Sequence, residues 1–158
     1  MILFKNRKLK AKKSKEVKEA MEKLFQKVVK DYHDYNLIYA YDTSIGINGY
    51  VYQNKIVGYR IQDMSIIIID CDHAFQKAFK TVRIFKNKIA KATYNKNLDF
   101  CTIYKSFKKE DIFRFYLVTK NYKDEDILAF IEQEIEVEEF RDFYFEFKRK
   151  LHFSQKKK

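Results

Sequence analysis

The chain has no proline, no tryptophan and only three glycines among its 158 residues. Turns must therefore rest on asparagine, aspartate and lysine, of which the first two tolerate left-handed backbone conformations. No apolar run approaches the length of a membrane span. Residues 1–4 are apolar, but Lys5 follows at once, and this stretch is too short for a signal-peptide core. We therefore expect a cytoplasmic protein.

Cysteine is also scarce, with Cys71 and Cys101 the only two. In a reducing compartment we expect both thiols to stay reduced and to serve as small buried hydrophobes. The sequence also lacks a glycine-rich phosphate loop, a nucleophile elbow and an HExxH motif. We therefore predict neither catalytic residues nor a cofactor, and expect a protein that is not an enzyme.

Hydrophobic residues make up 46% of the chain and charged residues 35%, which is typical of a folded domain. The net charge of +11 is unevenly spread. Residues 1–30 hold eleven Lys and Arg against three Glu, whereas residues 124–146 hold ten acids against Arg141. This asymmetry concerns partners rather than fold. We predict a basic flexible lead-in over residues 1–13, one domain over 14–151 and a basic tail over 152–158.

Four consecutive isoleucines, Ile66 to Ile69, are the strongest structural signal. A short β-branched run between turn-type residues favours a strand that is covered on both faces. We predict that this run is a central strand and that its side chains are buried.

A helix is predicted over residues 14–32, because apolar residues recur there at spacings of three and four. Ser14 suits the N-cap and Glu16 the first turn. The stripe consists of Val17, Met21, Leu24, Val28 and Tyr32. Such a basic amphipathic helix could bind an anionic membrane or partner, or could pack its stripe on a sheet with its lysines in solvent.

Strand-type alternation then continues to residue 119. Asn48-Gly49 predicts a hairpin, and Gln53-Asn54 predicts a second, weaker turn. Residues 73–80 could hold one helical turn. The predicted strands are 37–41, 44–47, 50–53, 55–61, 66–69, 81–85, 89–94, 98–104 and 112–119.

A second helix is predicted from Asp124 to about residue 151. Its apolar positions are Ile127, Leu128, Ile131, Ile135, Val137, Phe140, Tyr144, Phe147 and Leu151. The alternation of Phe143, Phe145 and Phe147 would also suit a strand. The predicted fold class is α+β: an N-terminal amphipathic helix, a mainly antiparallel curved sheet or partly open barrel of six to eight strands, and a long C-terminal helix.

Residues 70–73, Asp-Cys-Asp-His, form the densest cluster of ligand-type side chains. Cysteine and histidine suit zinc, but no partner pair with metal-ligand spacing occurs elsewhere. We predict a polar turn in which Asp70 or Asp72 caps backbone N–H groups, and no bound metal.

One internal basic stretch is the candidate binding site: Lys77, Lys80, Arg83, Lys86, Lys88 and Lys91, with Phe85 among them. Lys96, Phe79 and Tyr94 extend it, and its aromatic rings could stack on bases. The same pattern is typical of an exposed hairpin whose lysines oppose edge-to-edge aggregation.

Residues 58–65, Gly-Tyr-Arg-Ile-Gln-Asp-Met-Ser, and the isoleucine run resemble the early strand-turn-strand of small bacterial pleckstrin-homology-like domains. The series of short strands with a closing helix, over about residues 50–135, is similar in order. The resemblance implies a binding module for proteins or lipid headgroups, without catalytic residues. The alternative architecture resembles the nuclear-transport-factor-like cone, which encloses a pocket.

Three functions therefore remain open. The first is a binding module for an acidic protein partner or an anionic membrane surface. The second is a nucleic-acid binder that uses residues 77–96 and the basic termini, and the third is a protein with a small-molecule pocket. The apolar stripe of the C-terminal helix, with Phe140 and Phe147, would also suit a homodimer.

Overall fold

The structure, a computed structural model, describes the backbone of residues 2–119 and 128–149, and the side chains from residue 7 onward within those ranges. Within these ranges two helices and seven strands follow one another. Short 3₁₀ turns at Lys86–Lys88 and Lys109–Asp111 precede β5 and β7. The elements are α1 (Ile2–Val28), β1 (Asn36–Gly46), β2 (Gly49–Arg60), β3 (Ser65–Cys71), β4 (Ala78–Phe85), β5 (Lys91–Asn95), β6 (Phe100–Tyr104), β7 (Ile112–Leu117) and α2 (Glu134–Lys148).

All seven strands join one antiparallel sheet in the order β4-β3-β2-β1-β7-β6-β5. Only two residue pairs connect β1 to β7, so the sheet divides there into a four-stranded and a three-stranded part. The two parts curl toward each other, and this brings Lys80 of β4 over the ring of Phe113 in β7, at 5.6 Å from the ring centre. The predicted α+β class is confirmed, with an open sheet between two helices.

Each face of the sheet has its own apolar core. The inner core joins both parts of the sheet to α2, and includes Ile66, Ile68 and Phe140. The outer core joins the other face to α1, and includes Ile67 and Ile69. The isoleucine run is therefore a strand buried on both faces, as predicted. β3 nevertheless lies second from the edge, and β1 is the middle strand.

Helix α1 begins at Ile2, twelve residues before the predicted start. Lysine and alanine are good helix formers, so residues 2–13 continue the helix instead of forming a separate lead-in. The hydroxyl oxygen of Ser14 accepts a hydrogen bond from the Glu132 backbone N–H at 2.9 Å, and caps no helix start. Met21 and Leu24 are buried, so the stripe packs on the sheet. The helix ends at Val28 rather than Tyr32.

The predicted hairpin between β1 and β2 is present, with Ile47 and Asn48 in its turn and Gly49 at a φ of 121°. The weaker turn predicted at Gln53-Asn54 was wrong, because both residues pair within the continuous strand β2. The helical turn predicted at 73–80 was also wrong. Residues 72–77 form a tight connection, in which the Asp72 carboxylate accepts hydrogen bonds from the backbone N–H groups of Gln76 and Lys77.

Helix α2 begins at Glu134, ten residues after the predicted start. Residues 124–127 lie outside the described residues, and 128–133 are not helical. The Gln133 side chain explains this extended segment, because it exchanges hydrogen bonds with the Tyr39 backbone and donates to the Val118 carbonyl. Ile135, predicted to be apolar-facing, is 70% exposed.

The second half of the predicted stripe is confirmed. Val137, Phe140, Tyr144 and Phe147 are buried in the inner core, on a helix rather than a strand. Leu151 and the tail 152–158 lie outside the described residues. Phe140 and Phe147 are covered within the chain, so this stripe is not exposed for the homodimer that the sequence would also suit.

Candidate functional site

Helix α2 closes one end of the curled sheet. There Arg141 binds Asp99 in the β5–β6 turn at 2.6 Å, and the Tyr59 and Phe140 rings lie 5.4 Å apart. The β1–β2, β3–β4 and β6–β7 connections follow the strand ends that point the other way, because all neighbouring strands are antiparallel. We call this other end the open end.

The β1–β2 turn carries an exposed apolar patch at the open end. Ile45 and Ile47 are 86% and 103% exposed, and Tyr50 and Val51 are also exposed. We call these four residues the hairpin tip. No charged residue stands between Asp42 and Lys55. Cys71, the last residue of β3, pairs with Asn54 of β2. The part of β2 before Asn54, back to Gly49, is about 17 Å long and has no pairing with β3. The hairpin tip therefore projects beyond the end of β3. Contiguous exposed apolar groups of this kind usually mark an interaction site.

The N-terminal part of α1 points in the same direction. Asp31, which follows α1, binds Arg83 near the α2 end, whereas Val17 lines a groove with Phe75 of the β3–β4 connection. The helix therefore runs toward its N-terminus past that connection. Residues 7–13 are all exposed, and five of the seven are cations: Arg7, Lys8, Lys10, Lys12 and Lys13. This basic helical arm and the hairpin tip thus lie toward the same end of the protein.

A charged cavity lies inside the open end. Each of the strands β1 to β4 places every second side chain on the inner face, and most of these side chains are apolar. At the open end the inner-face positions instead hold one charged residue per strand: Asp42, Lys55, Asp70 and Lys80. With Arg114 they line a cavity of about 170 Å³. The inner face is therefore apolar next to α2 and polar at the open end.

Two of the three cations in this cavity are neutralised by carboxylates. Lys55 Nζ lies 2.6 Å from Asp70 Oδ1, and Arg114 lies 3.7 Å from Asp42. Lys80 has only the Phe113 ring as a charge partner within residues 2–119 and 128–149. The cavity therefore keeps one positive charge in excess, which suits a small anionic group rather than acid–base chemistry.

The residues of the predicted basic site lie in different parts of the structure. Lys77 and Lys80 lie at the start of the β4 region, near the open end. Lys86 donates to the Glu146 carbonyl at the α2 end. Lys88 and Lys91 are exposed beyond that turn, and Phe85 is half-buried in β4. The seven residues therefore form no single surface, because strand alternation and the turn after β4 send them in different directions.

Arg83 is already used within the fold. Its guanidinium makes two hydrogen bonds to the Asp31 carboxylate, at 3.0 and 2.5 Å. Arg60 joins Asp31 to Asp63 and lies 4.4 Å from the Tyr35 ring. The hydrogen bond from Arg83, with smaller help from Arg60, lowers the pKa of Asp31 to about 2. This cluster ties the segment after α1 to the sheet.

The Asp-Cys-Asp-His cluster has a structural role in the described residues. Asp70 pairs with Lys55 and Asp72 caps the β3–β4 connection, as the prediction of a polar turn required. Burial, with help from Asp72 and Asp70, raises the pKa of Cys71 to about 12. Cys101 is likewise a buried free thiol. Within the described ranges no three His, Cys, Asp or Glu side chains come together as a metal site.

The sequence pattern did not reveal that the hairpin tip is exposed. Its residues were predicted as ordinary strand, and the twelve uncharged residues between Asp42 and Lys55 were the available signal. The charged cavity was missed because it depends on which strands face one another across the curl.

Comparisons with protein-family models, with curated proteins and with solved structures find no match to this chain. Neither described helix combines the length and apolar character needed to cross a bilayer.

Proposed function

We propose that this protein is a non-enzymatic binding module whose open end docks on an anionic membrane surface. The observation that carries the proposal is the hairpin tip, which exposes apolar side chains at the end toward which the strongly basic helical arm also points. An interface helix or loop that combines apolar insertion with cationic attraction uses two independent contributions to membrane binding.

The two contributions are comparable in size. Full burial of one isoleucine side chain stabilises by about 1.5–3 kcal/mol, and partial insertion by less. Each lysine or arginine near an anionic leaflet adds about 1 kcal/mol. Residues 7–13 supply five cations, and Lys108, Lys109 and the exposed Phe107 in the β6–β7 connection extend the same end. The charged cavity, with Lys80 uncommitted to a carboxylate, adds a place for an anionic group.

The fold supports the resemblance to small bacterial pleckstrin-homology-like domains. A curled antiparallel sheet is followed by a closing C-terminal helix, although that helix spans Glu134–Lys148 and not the residues up to 135 on which the resemblance was based. We propose that the chain is a relative of that group with an added N-terminal helix. Next to α2 the inner face is filled by apolar side chains, which argues against a cone with a deep interior pocket at that end.

Nucleic-acid binding through residues 77–96 is less well supported. Arg83 and Lys86 are engaged within the chain, and the remaining cations of that stretch do not line one groove. An acidic protein partner would use the cations but has no evident need for the hairpin tip.

Co-sedimentation with vesicles tests the proposal. We expect the protein to bind vesicles of phosphatidylglycerol and phosphatidylcholine, and not vesicles of phosphatidylcholine alone. The double variant Ile45→Ser, Ile47→Ser should bind the anionic vesicles at least about tenfold more weakly, because both inserted side chains are lost. The control is Ile61→Ser, which alters an equally apolar exposed residue in the β2–β3 turn, near the α2 end.

Two results would overturn the proposal. One is an absence of binding to anionic vesicles at low ionic strength. The other is an equal loss of binding in the hairpin-tip variant and in Ile61→Ser. Vesicle binding that is unchanged in the hairpin-tip variant would rest on the cations alone and would contradict docking through the hairpin tip.

A further inference from the structure

A second cavity lies away from the open end, between α1, the start of β1 and the start of α2. Its volume is about 390 Å³, which is in the range of small-molecule sites. Met21, Phe25 and Leu37 are apolar side chains on its wall, and Ile131 joins them from the segment before α2. One part of the cavity wall is therefore apolar and could contact a short hydrocarbon stem.

The rim of this cavity is negative, in contrast to the protein as a whole. Glu22 of α1 and Glu136 and Glu139 of α2 line it, and Lys18 is the one cation among the described lining residues. The cavity therefore carries an excess of two negative charges. Within the described residues, Glu22 and Glu139 are in no ion pair.

Two observations indicate that this rim suits a cation. Lys18 Nζ donates to Glu136 Oε1 at 2.9 Å, so an ammonium group already lies against one of the carboxylates. Tyr59 shares the cavity wall, and its pKa is raised to about 12 by burial and then by Glu139 and Glu136. Aromatic faces of Tyr and Phe also attract cations.

We propose that this cavity binds an alkylammonium group, with the stem against Met21, Phe25 and Leu37 and the ammonium between Glu22 and Glu139. The group could be a free small amine or a lysine side chain of a partner peptide, because both present the same chemistry. The site is independent of the membrane-docking function, since it shares no residue with the hairpin tip or the helical arm.

The three methionines allow a direct test. Methyl-labelled methionine NMR would follow Met21 on the cavity wall, while Met64 packs against the inner core and reports on the fold as a whole. n-Butylammonium and a blocked lysine peptide are titrated separately. We expect at least one of them to shift the Met21 signal saturably and to leave the Met64 signal unchanged. n-Butanol should bind at least about tenfold more weakly, because it lacks the charge.

Matched variants separate the site from general electrostatics. Glu22→Gln with Glu139→Gln should weaken the binding of the cation about tenfold or more. Glu138→Gln removes one charge from an exposed neighbouring position on α2 outside the cavity, and should leave the binding unchanged. The proposal would be overturned if neither cation shifted Met21, if butanol bound equally well, or if Glu138→Gln weakened binding as much as the cavity variant.

Discussion

The two-sided burial of β3 makes a quantitative prediction. Ile66 belongs to the inner core and Ile69 to the outer core, and both are fully buried. Replacing a buried isoleucine by valine removes one methylene group and typically costs about 0.5–1.5 kcal/mol. Ile66→Val and Ile69→Val should each lower the free energy of unfolding by that amount.

The double variant distinguishes two cores from one. The two side chains are three residues apart on opposite faces, about 10 Å along the strand, so their effects should add to within about 0.5 kcal/mol. The combined loss of about 1–3 kcal/mol leaves a domain of ordinary stability folded. Urea denaturation followed by far-ultraviolet circular dichroism would measure all three variants, with the exposed Ile61→Val as the control.

Two results would refute this reasoning. Losses at Ile66 or Ile69 no larger than that at Ile61 would show that β3 is not buried on that face. A coupling energy well above 0.5 kcal/mol would show that the two faces do not form separate cores.

Three further predictions concern other parts of the fold. Gly58→Ala would place a Cβ 2.6 Å from Phe25 Cε2, so it should destabilise by about 1–3 kcal/mol in urea denaturation, and a neutral effect would show that α1 does not pack there. The Asp31–Arg83 pair stabilises the fold above the ordinary aspartate pKa of 3.8, and this contribution is lost as the pH falls toward 2. In Arg83→Gln, the free energy of unfolding from urea denaturation should therefore depend less on pH between these values, and the difference should be at most about 1 kcal/mol because the pair is so exposed. Cys71 and Cys101 should react with a thiol reagent at pH 8 only on unfolding, because both are buried and burial raises their pKa values; rapid reaction of the native protein would contradict their placement.

The sequence predicted those elements whose signals are local. The run from Ile66 to Ile69 favours a buried strand whatever surrounds it, and the spacing of Phe140, Tyr144 and Phe147 favours a helix. The predicted start of α2 was wrong because the actual start depends on a tertiary contact. Gln133 donates hydrogen bonds to the backbone carbonyls of Tyr39 and Val118, which lie in distant parts of the chain. No local pattern at Gln133 shows such a contact.

The candidate site was less predictable than the fold. Whether Arg83 binds a ligand or Asp31 depends on where the segment after α1 returns to the sheet. Ile45 and Ile47 are exposed because no other part of the described structure packs on them. An uncharged β-hairpin sequence does not show this, because it suits a buried hairpin as well as an exposed one. Charge counting along the chain identified cations, but not which of them already have partners.

Fluorescence quenching by brominated lipid would test the central claim, docking through the open end, most directly. The chain contains no tryptophan, so Tyr50→Trp places a single reporter in the hairpin tip, and Phe145→Trp places one on the exposed side of α2 at the other end. With anionic vesicles that contain brominated lipid, we expect strong quenching of the reporter at position 50 and little at position 145. Equal quenching at both positions, or none at position 50 under conditions in which the protein binds the vesicles, would contradict docking through the hairpin tip.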